Sequence, residues 1–306
     1  MRSEAAMSSS DHDHDHLTRF LLPGAGVRGV HVRLESAWRE ILAPASYPAA
    51  ATELLGEACV AAALFTGHTK VDGRLSVQLR SQGALRTLFA ECTAAGTLRG
   101  IVQLSEGSDA PRDLRALGDG ALLAITIENP GLDPREPQRY QSLVALSAAE
   151  LGEAFEDYFR QSEQLPTRLI LAADGQQAAG LLLQKLPGDA GDEDGWNRAG
   201  ALFETVDESE LLALPAETLL HRLFHEEAAQ LLGTRPLRFG CSCSRERVAA
   251  MLRSLGEEEA RAAAEATGQV EIRCEFCGRH YDFPLTEFGV LFAITPAEPA
   301  PPERLQ

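Results

Sequence analysis

The chain has 306 residues, a net charge of −17 and a pI near 4.9. The length suits about two domains at roughly 150 residues each, and a hydrophobic share of 44% can supply a core. So acidic a chain repels phosphate backbones, which argues against general nucleic-acid binding.

Arginine carries nearly all the positive charge, since Lys70 and Lys185 are the only lysines. The N-terminus lacks the apolar stretch of a secretory signal. The most apolar run, Ala58 to Phe65, is far shorter than the roughly 20 residues that span a bilayer. A cytoplasmic protein is the expectation, with no membrane partner. In a reducing compartment, clustered cysteines point to metal ligands or redox sensors before structural disulfides.

Residues 1–16 read as a disordered tail. The alternation from Asp11 to His16 reads as a solvated low-complexity segment, with weak metal binding the alternative. Folded sequence begins near Leu17. Glu35 to Leu42 predicts a short helix stopped by Pro44. Pro48 to Thr66 predicts a longer one, with proline in its first turn. Leu54, Leu55, Cys59, Ala62 and Ala63 are its expected buried stripe. Cys59 and the lone Cys92 read as core residues.

Strands follow. Arg74 to Arg80 alternates apolar and polar residues, as a half-buried strand does. Leu85 to Glu91, Leu98 to Leu104, Leu122 to Glu128 and Arg139 to Leu146 are further candidates. Ala148 to Ser162 predicts an amphipathic helix. Thr167 to Ala173 and Ala179 to Leu186 predict two more strands around Asp174-Gly175. The strands cluster instead of alternating with helices, which favours an α+β domain over a doubly wound sheet.

Pro187 to Gly195 is acidic, glycine-bearing and without a core residue, so it reads as a hinge. Beyond it, Glu208 to Leu214 and Ala216 to Leu232 predict helices separated by Pro215. Leu219, Leu220, Leu223, Phe224 and Leu231 form the apolar face of the second. His221 and His225 have i,i+4 spacing, but no HExxH pattern supports a metal site, and they read as a surface pair.

The last unit holds the most specific pattern. Cys241 and Cys243 lie one residue apart, and Cys274 and Cys277 follow with two residues between them. Four thiolates suit a closed tetrahedral zinc site, which has no open position for hydrolytic water. His280 would be a fifth candidate for a saturated site. Ser244 predicts the cap of a helix from Arg245 to Leu255, which Gly256 ends. Glu257 to Ala266 predicts a second helix. Val270 to Arg273 and Arg279 to Phe283 predict strands flanking the Cys274–Cys277 turn, with Gly278 supplying a permissive backbone. A unit this small needs a staple, and zinc can supply it.

Thiolates are also the species that oxidants attack, and each cysteine has a neighbour able to resolve a sulfenic acid. Fully extended, Cys241 and Cys243 would place their Cα atoms about 6.6–7 Å apart, near the limit for a disulfide. A 241–243 bond therefore needs a bent chain. Oxidation that consumed all four ligands would remove the staple and melt the unit.

These residues resemble a known family. CSCSRERV at Cys241–Val248 and CEFCGRHY at Cys274–Tyr281 are similar to motifs of the redox-regulated 33 kDa chaperonins, the heat shock protein 33 family. So are Val27–Leu34, Thr69–Leu79, Asp157–Leu169, Ala178–Gly188 and Phe224–Glu227. Coverage runs from about Leu17 to Phe292. The resemblance implies an ATP-independent holdase, not an enzyme. It binds one zinc ion when reduced, through Cys241, Cys243, Cys274 and Cys277. It implies that oxidation forms 241–243 and 274–277 disulfides, releases zinc, and unfolds the C-terminal module and linker. Unfolding client proteins would then bind, usually to a homodimer. Leu219, Leu223 and Phe224 are the expected contributors to the masked client surface.

The expected layout is an N-terminal mixed sheet-and-helix domain at 17–187, a flexible, helical linker at 188–236, a four-cysteine zinc domain at 237–292 and a disordered tail at 293–306. No P-loop or GxSxG pattern is present, which agrees with ATP independence and gives no support to an ordinary enzyme. A zinc-ribbon nucleic-acid binder and a static zinc-stapled protein are the alternatives.

Overall fold

The computed structural model describes residues 15–118, 120–131, 136–144, 146–188, 190–265 and 267–293. The chain divides into two compact units between Cys241 and Ser242. The expectations for residues 1–14 and 294–306 lie outside the described residues.

The first unit opens with β1 (His16–Leu22), β2 (Val27–Leu34), α1 (Ser36–Leu42) and the long α2 (Ala49–His68). Then come β3 (Arg74–Arg80), β4 (Leu85–Thr93), β5 (Thr97–Leu104), β6 (Leu122–Asn129) and β7 (Gln138–Val144). After α3 (Leu151–Tyr158) and a π-turn, β8 (Thr167–Ala173) and β9 (Ala178–Lys185) form a hairpin. Three short helices follow: α4 (Gly195–Phe203), α5 (Glu208–Ala213) and α6 (Ala216–Phe224). The unit closes with β10 (Gln230–Pro236) and the two-residue β11 (Arg238–Phe239).

Two sheets result. The first has the order β10-β1-β2-β9-β8 and is antiparallel throughout. The second has the order β11-β5-β4-β3-β6-β7, antiparallel except for the β11–β5 pairing. Strands of both sheets pack against α2. Its burial is therefore not the single stripe expected from sequence: almost every residue from Ala51 to Thr66 is buried. A helix hydrophobic all round belongs in a core, and length and composition alone would also let this one cross a membrane. Close approach depends on small residues. A Cβ on Gly180 of β9 would sit 2.5 Å from Val60 of α2, and one on Gly100 of β5 would sit 2.8 Å from the Cys59 sulfur.

The first sheet buries its other face too. Leu182 turns to the α2 core, while Leu181 and Leu183 join Phe20, Leu22 and Val27 in a second core beneath α4, α5 and α6. That second core absorbs most of the stretch 188–236 that sequence reads as a flexible, helical linker. It is helical only to Phe224, and its helices are packed. The expected helix Ala216–Leu232 stops there, and its last residues become β10. Ala228 takes a positive φ of 50° at the change of direction, and β10 pairs with the open edge of β1. Leu231, expected on the buried face, is 47% exposed.

The fold also starts earlier than Leu17. Asp15 is 1% exposed, and its carboxylate accepts from the backbone amides of Glu35 and Ala37 (2.9 Å for Ala37) at the start of α1. Its carbonyl accepts from the Leu237 amide.

The second unit holds α7 (Arg245–Leu255), α8 (Glu257–Ala264), β12 (Gln269–Arg273), β13 (His280–Pro284) and α9 (Phe288–Ala293). The Ser244 hydroxyl caps α7 by accepting from the Arg247 amide, and Gly256 ends it at a φ of 103°, as the sequence indicates. The core is small. Leu252, Tyr281, Phe283, Phe288 and Leu291 are its large side chains, with Val270 and alanines beside them. α9 has no sequence expectation. Its Phe288 and Leu291 complete this core.

Candidate metal and redox centre

The antiparallel hairpin of β12 and β13 presents the second cysteine pair at its tip. The Cys274 amide donates to the Arg279 carbonyl and the Gly278 amide to the Cys274 carbonyl, each at 2.8 Å. Gly278 has a φ of 70°, the left-handed conformation that glycine adopts without penalty. That turn brings both sulfurs to one side. The first pair follows β11 on a non-regular segment. Arg247 of α7 donates to the Ser242 carbonyl at 3.0 Å, which fixes the backbone between the two cysteines.

The sulfurs of Cys241, Cys243, Cys274 and Cys277 all lie within 4.8 Å of one another, and each residue is half-buried. Tetrahedral Zn–S bonds of about 2.3 Å put sulfurs roughly 3.8 Å apart, so the spacing and the donor set fit a soft divalent metal. Cys243 and Cys277 are the closest pair described, at 3.4 Å, well beyond a disulfide bond length of about 2.05 Å. His280 is exposed on β13 and is not among the four.

Two neighbours were not singled out from sequence. Tyr281 of β13 donates its hydroxyl to the Cys243 sulfur at 3.0 Å. Its ring sits in the small core, so packing fixes this second layer around the site. The Tyr281 hydroxyl first, and then Cys243 and Cys277, raise the Arg279 pKa above its ordinary value. A cation beside the sulfurs favours thiolate over thiol. The alternation in Arg279–Phe283 was the available signal, since it places residues 279, 281 and 283 on one face.

The other candidates fall elsewhere. Cys59 and Cys92 are fully buried in the first unit. Burial pushes the Cys92 thiol up to about 11 and raises Cys59 further, so neither is a nucleophile. His221 and His225 are exposed and stacked, with ring centroids 5.8 Å apart. Leu219, Leu223 and Phe224 come together on α6 under the first sheet, and the Phe224 ring stacks on Phe20 with centroids 6.0 Å apart. Arg198 helps to hold this segment, donating to Asp192 (2.7 Å) and Glu227 (2.8 Å).

Fold and site define an α+β protein of two units in which four cysteines converge, three of them in the smaller, C-terminal unit. The model of the family described as Hsp33 protein matches residues 15–284. A 33 kDa chaperonin of Ectopseudomonas mendocina is 44% identical over 92% of this chain and 96% of its own length. One of Nitrosococcus oceani is 41% identical over 92% and 95%. The crystal structure of the 33 kDa chaperonin of Thermotoga maritima shares the fold, with a TM-score of 0.72 at 21% identity, covering 92% of this chain and 98% of that one. The chain belongs to the Hsp33 family. This is a family of chaperones, and membership implies binding of unfolded client proteins.

Proposed function

We propose that this chaperone is an ATP-independent holdase, switched on by oxidation of its cysteine quartet. The convergence of four sulfurs, three of them from a unit whose own core is small, carries the reading. Zinc, when bound by Cys241, Cys243, Cys274 and Cys277, keeps the sulfurs as thiolates and supplies roughly 10–16 kcal/mol of folding energy.

The cysteines themselves do the chemistry. A thiolate attacks peroxide, an S–O bond forms as the O–O bond breaks, and a sulfenic acid and hydroxide result. The neighbouring thiolate then attacks that sulfur, forming the disulfide and expelling hydroxide. Each disulfide thus takes two electrons from sulfur and consumes one peroxide. Bonds at 241–243 and 274–277 leave no thiolate ligand. The core around Leu252, Tyr281, Phe283, Phe288 and Leu291 is then too small to hold the unit folded.

Unfolding propagates through what precedes Cys241. The segment is tied down by β11, by the Gly240 amide, which donates to the Leu98 carbonyl at 2.9 Å, and by Leu237, which is buried in the α2 core. β10 is an exposed edge strand. Its release frees α4 to α6 and uncovers Leu219, Leu223 and Phe224 together with the sheet face beneath them. The holdase acts in the cytoplasm, as a homodimer once active, on unfolding proteins and not on nucleic acid or membranes. The test treats reduced, zinc-loaded protein with peroxide and follows thiols, zinc release and client light scattering together. Loss of four thiols, release of one zinc and suppressed aggregation are expected. Zinc retention with unchanged aggregation would overturn the reading.

A further inference from the structure

The first unit gathers cations where the chain's acidity makes them unexpected. Several arginines elsewhere pair with carboxylates: Arg198 with Glu227, Arg112 with Glu57, Arg99 with Glu91. A cavity of about 270 Å³ between β1, β10 and the end of α2 is different. Arg19, Lys70 and Arg235 line it, and among the described residues no carboxylate does. The register accounts for the grouping. Leu17 pairs with Arg235 and Arg19 with Gly233, so Arg19 and Arg235 share one face of the ladder, two positions apart. A bulge follows at Arg19/Phe20, a feature that re-aims side chains.

Arg235 donates through Nη1 to the Ala94 carbonyl at 2.9 Å, but its buried Nε and Nη2 have no hydrogen-bond partner among the described residues. Two adjacent guanidinium donors form the fork that an oxyanion accepts in bidentate fashion. The negative end of α2 opposes an anion here. Its last carbonyls are partly satisfied, however: the Thr66 hydroxyl donates to Ala62 and the Thr69 hydroxyl to Phe65, both at 2.7 Å.

We propose that this cavity binds a phosphate-bearing anion, with Arg235 as the bidentate contact and Arg19 and Lys70 completing the charge. Three cations match a phosphate dianion better than a monovalent carboxylate. Bound there, the anion ties β10 to β1 and α2. The site stands independently of the oxidation switch.

The test titrates reduced, zinc-loaded full chain with inorganic phosphate, pyrophosphate, ADP and acetate at constant ionic strength, by calorimetry and by amide shifts. Saturable binding of a phosphate compound is expected, with shifts at Thr69, Lys70 and Thr234. Arg19→Gln and Lys70→Gln, both at exposed positions, should each weaken it roughly tenfold, about 1.4 kcal/mol. Tighter binding of ADP than of pyrophosphate assigns a nucleotide, and the reverse assigns an inorganic phosphate. No saturation, equal binding of acetate, or unchanged affinity in both variants would overturn the proposal.

Discussion

Asp15 shows how a single residue can join distant parts of the chain. Its carboxylate caps α1 from outside the helix, and its carbonyl holds Leu237. Burial raises its pKa, against the lowering by the Glu35 and Ala37 amides. Asp15→Ala leaves two donors at a buried helix start, and should destabilise the first unit by about 1–3 kcal/mol in urea unfolding. A change within 0.5 kcal/mol would mean that the cap is dispensable. His31 makes a pH prediction. It is buried on β2, and burial, then Arg33, lowers its pKa to about 4. The unfolded chain takes up that proton below about 6.5. Stability from His31 is therefore present above 6.5, lost as pH falls, and gone below about 4. Glu57 runs the other way, because burial raises its pKa to about 7 and its contribution grows as pH falls towards 4.5. The clean measurement is the stability of the parent minus that of His31→Gln. This difference should shrink by about 3 kcal/mol between pH 7 and pH 4; a flat difference would refute it.

Among the elements, α6 is the cover that must move for clients to bind. Leu219, Leu223 and Phe224 are buried against the outer face of the first sheet. Leu223→Asp places a charge in that core, a penalty of several kcal/mol that favours the uncovered state. Reduced Leu223→Asp protein should already slow client aggregation, and once oxidised should bind clients less tightly than the parent does. Inactivity when reduced, with full activity when oxidised, would remove α6 from the client surface. The same region shows where the sequence was readable. β3 to β9 were visible as period-two or apolar runs between Gly, Pro and Asp. α7, its Ser244 cap and the CxxC hairpin were visible from local chemistry. β10 was not, because Ala216–Leu232 keeps helical spacing throughout. Its conversion to a strand depends on the edge of β1, a partner some 200 positions earlier. An exposed edge strand also has no buried face to create alternation. α4 was hidden behind the acidic run 187–195, whose role is legible only once Arg198 is seen to reach Asp192 and Glu227.

The whole molecule divides stability unequally. The first unit has a central helix buried against two sheets. The second has a small core and a cluster of sulfurs. The cysteine motif was fully legible from spacing, and the Tyr281 and Arg279 contacts were not, because side-chain reach across a hairpin has no spacing rule. The central claim is that oxidation unfolds the small unit and frees the segment before it, leaving the α2 core intact. Hydrogen exchange on reduced, zinc-loaded protein and on peroxide-oxidised protein tests this directly. Protection should be lost across 242–293 and 195–236 and kept in α2, β2 and β9. Unchanged protection across 242–293 after all four thiols are oxidised would contradict it.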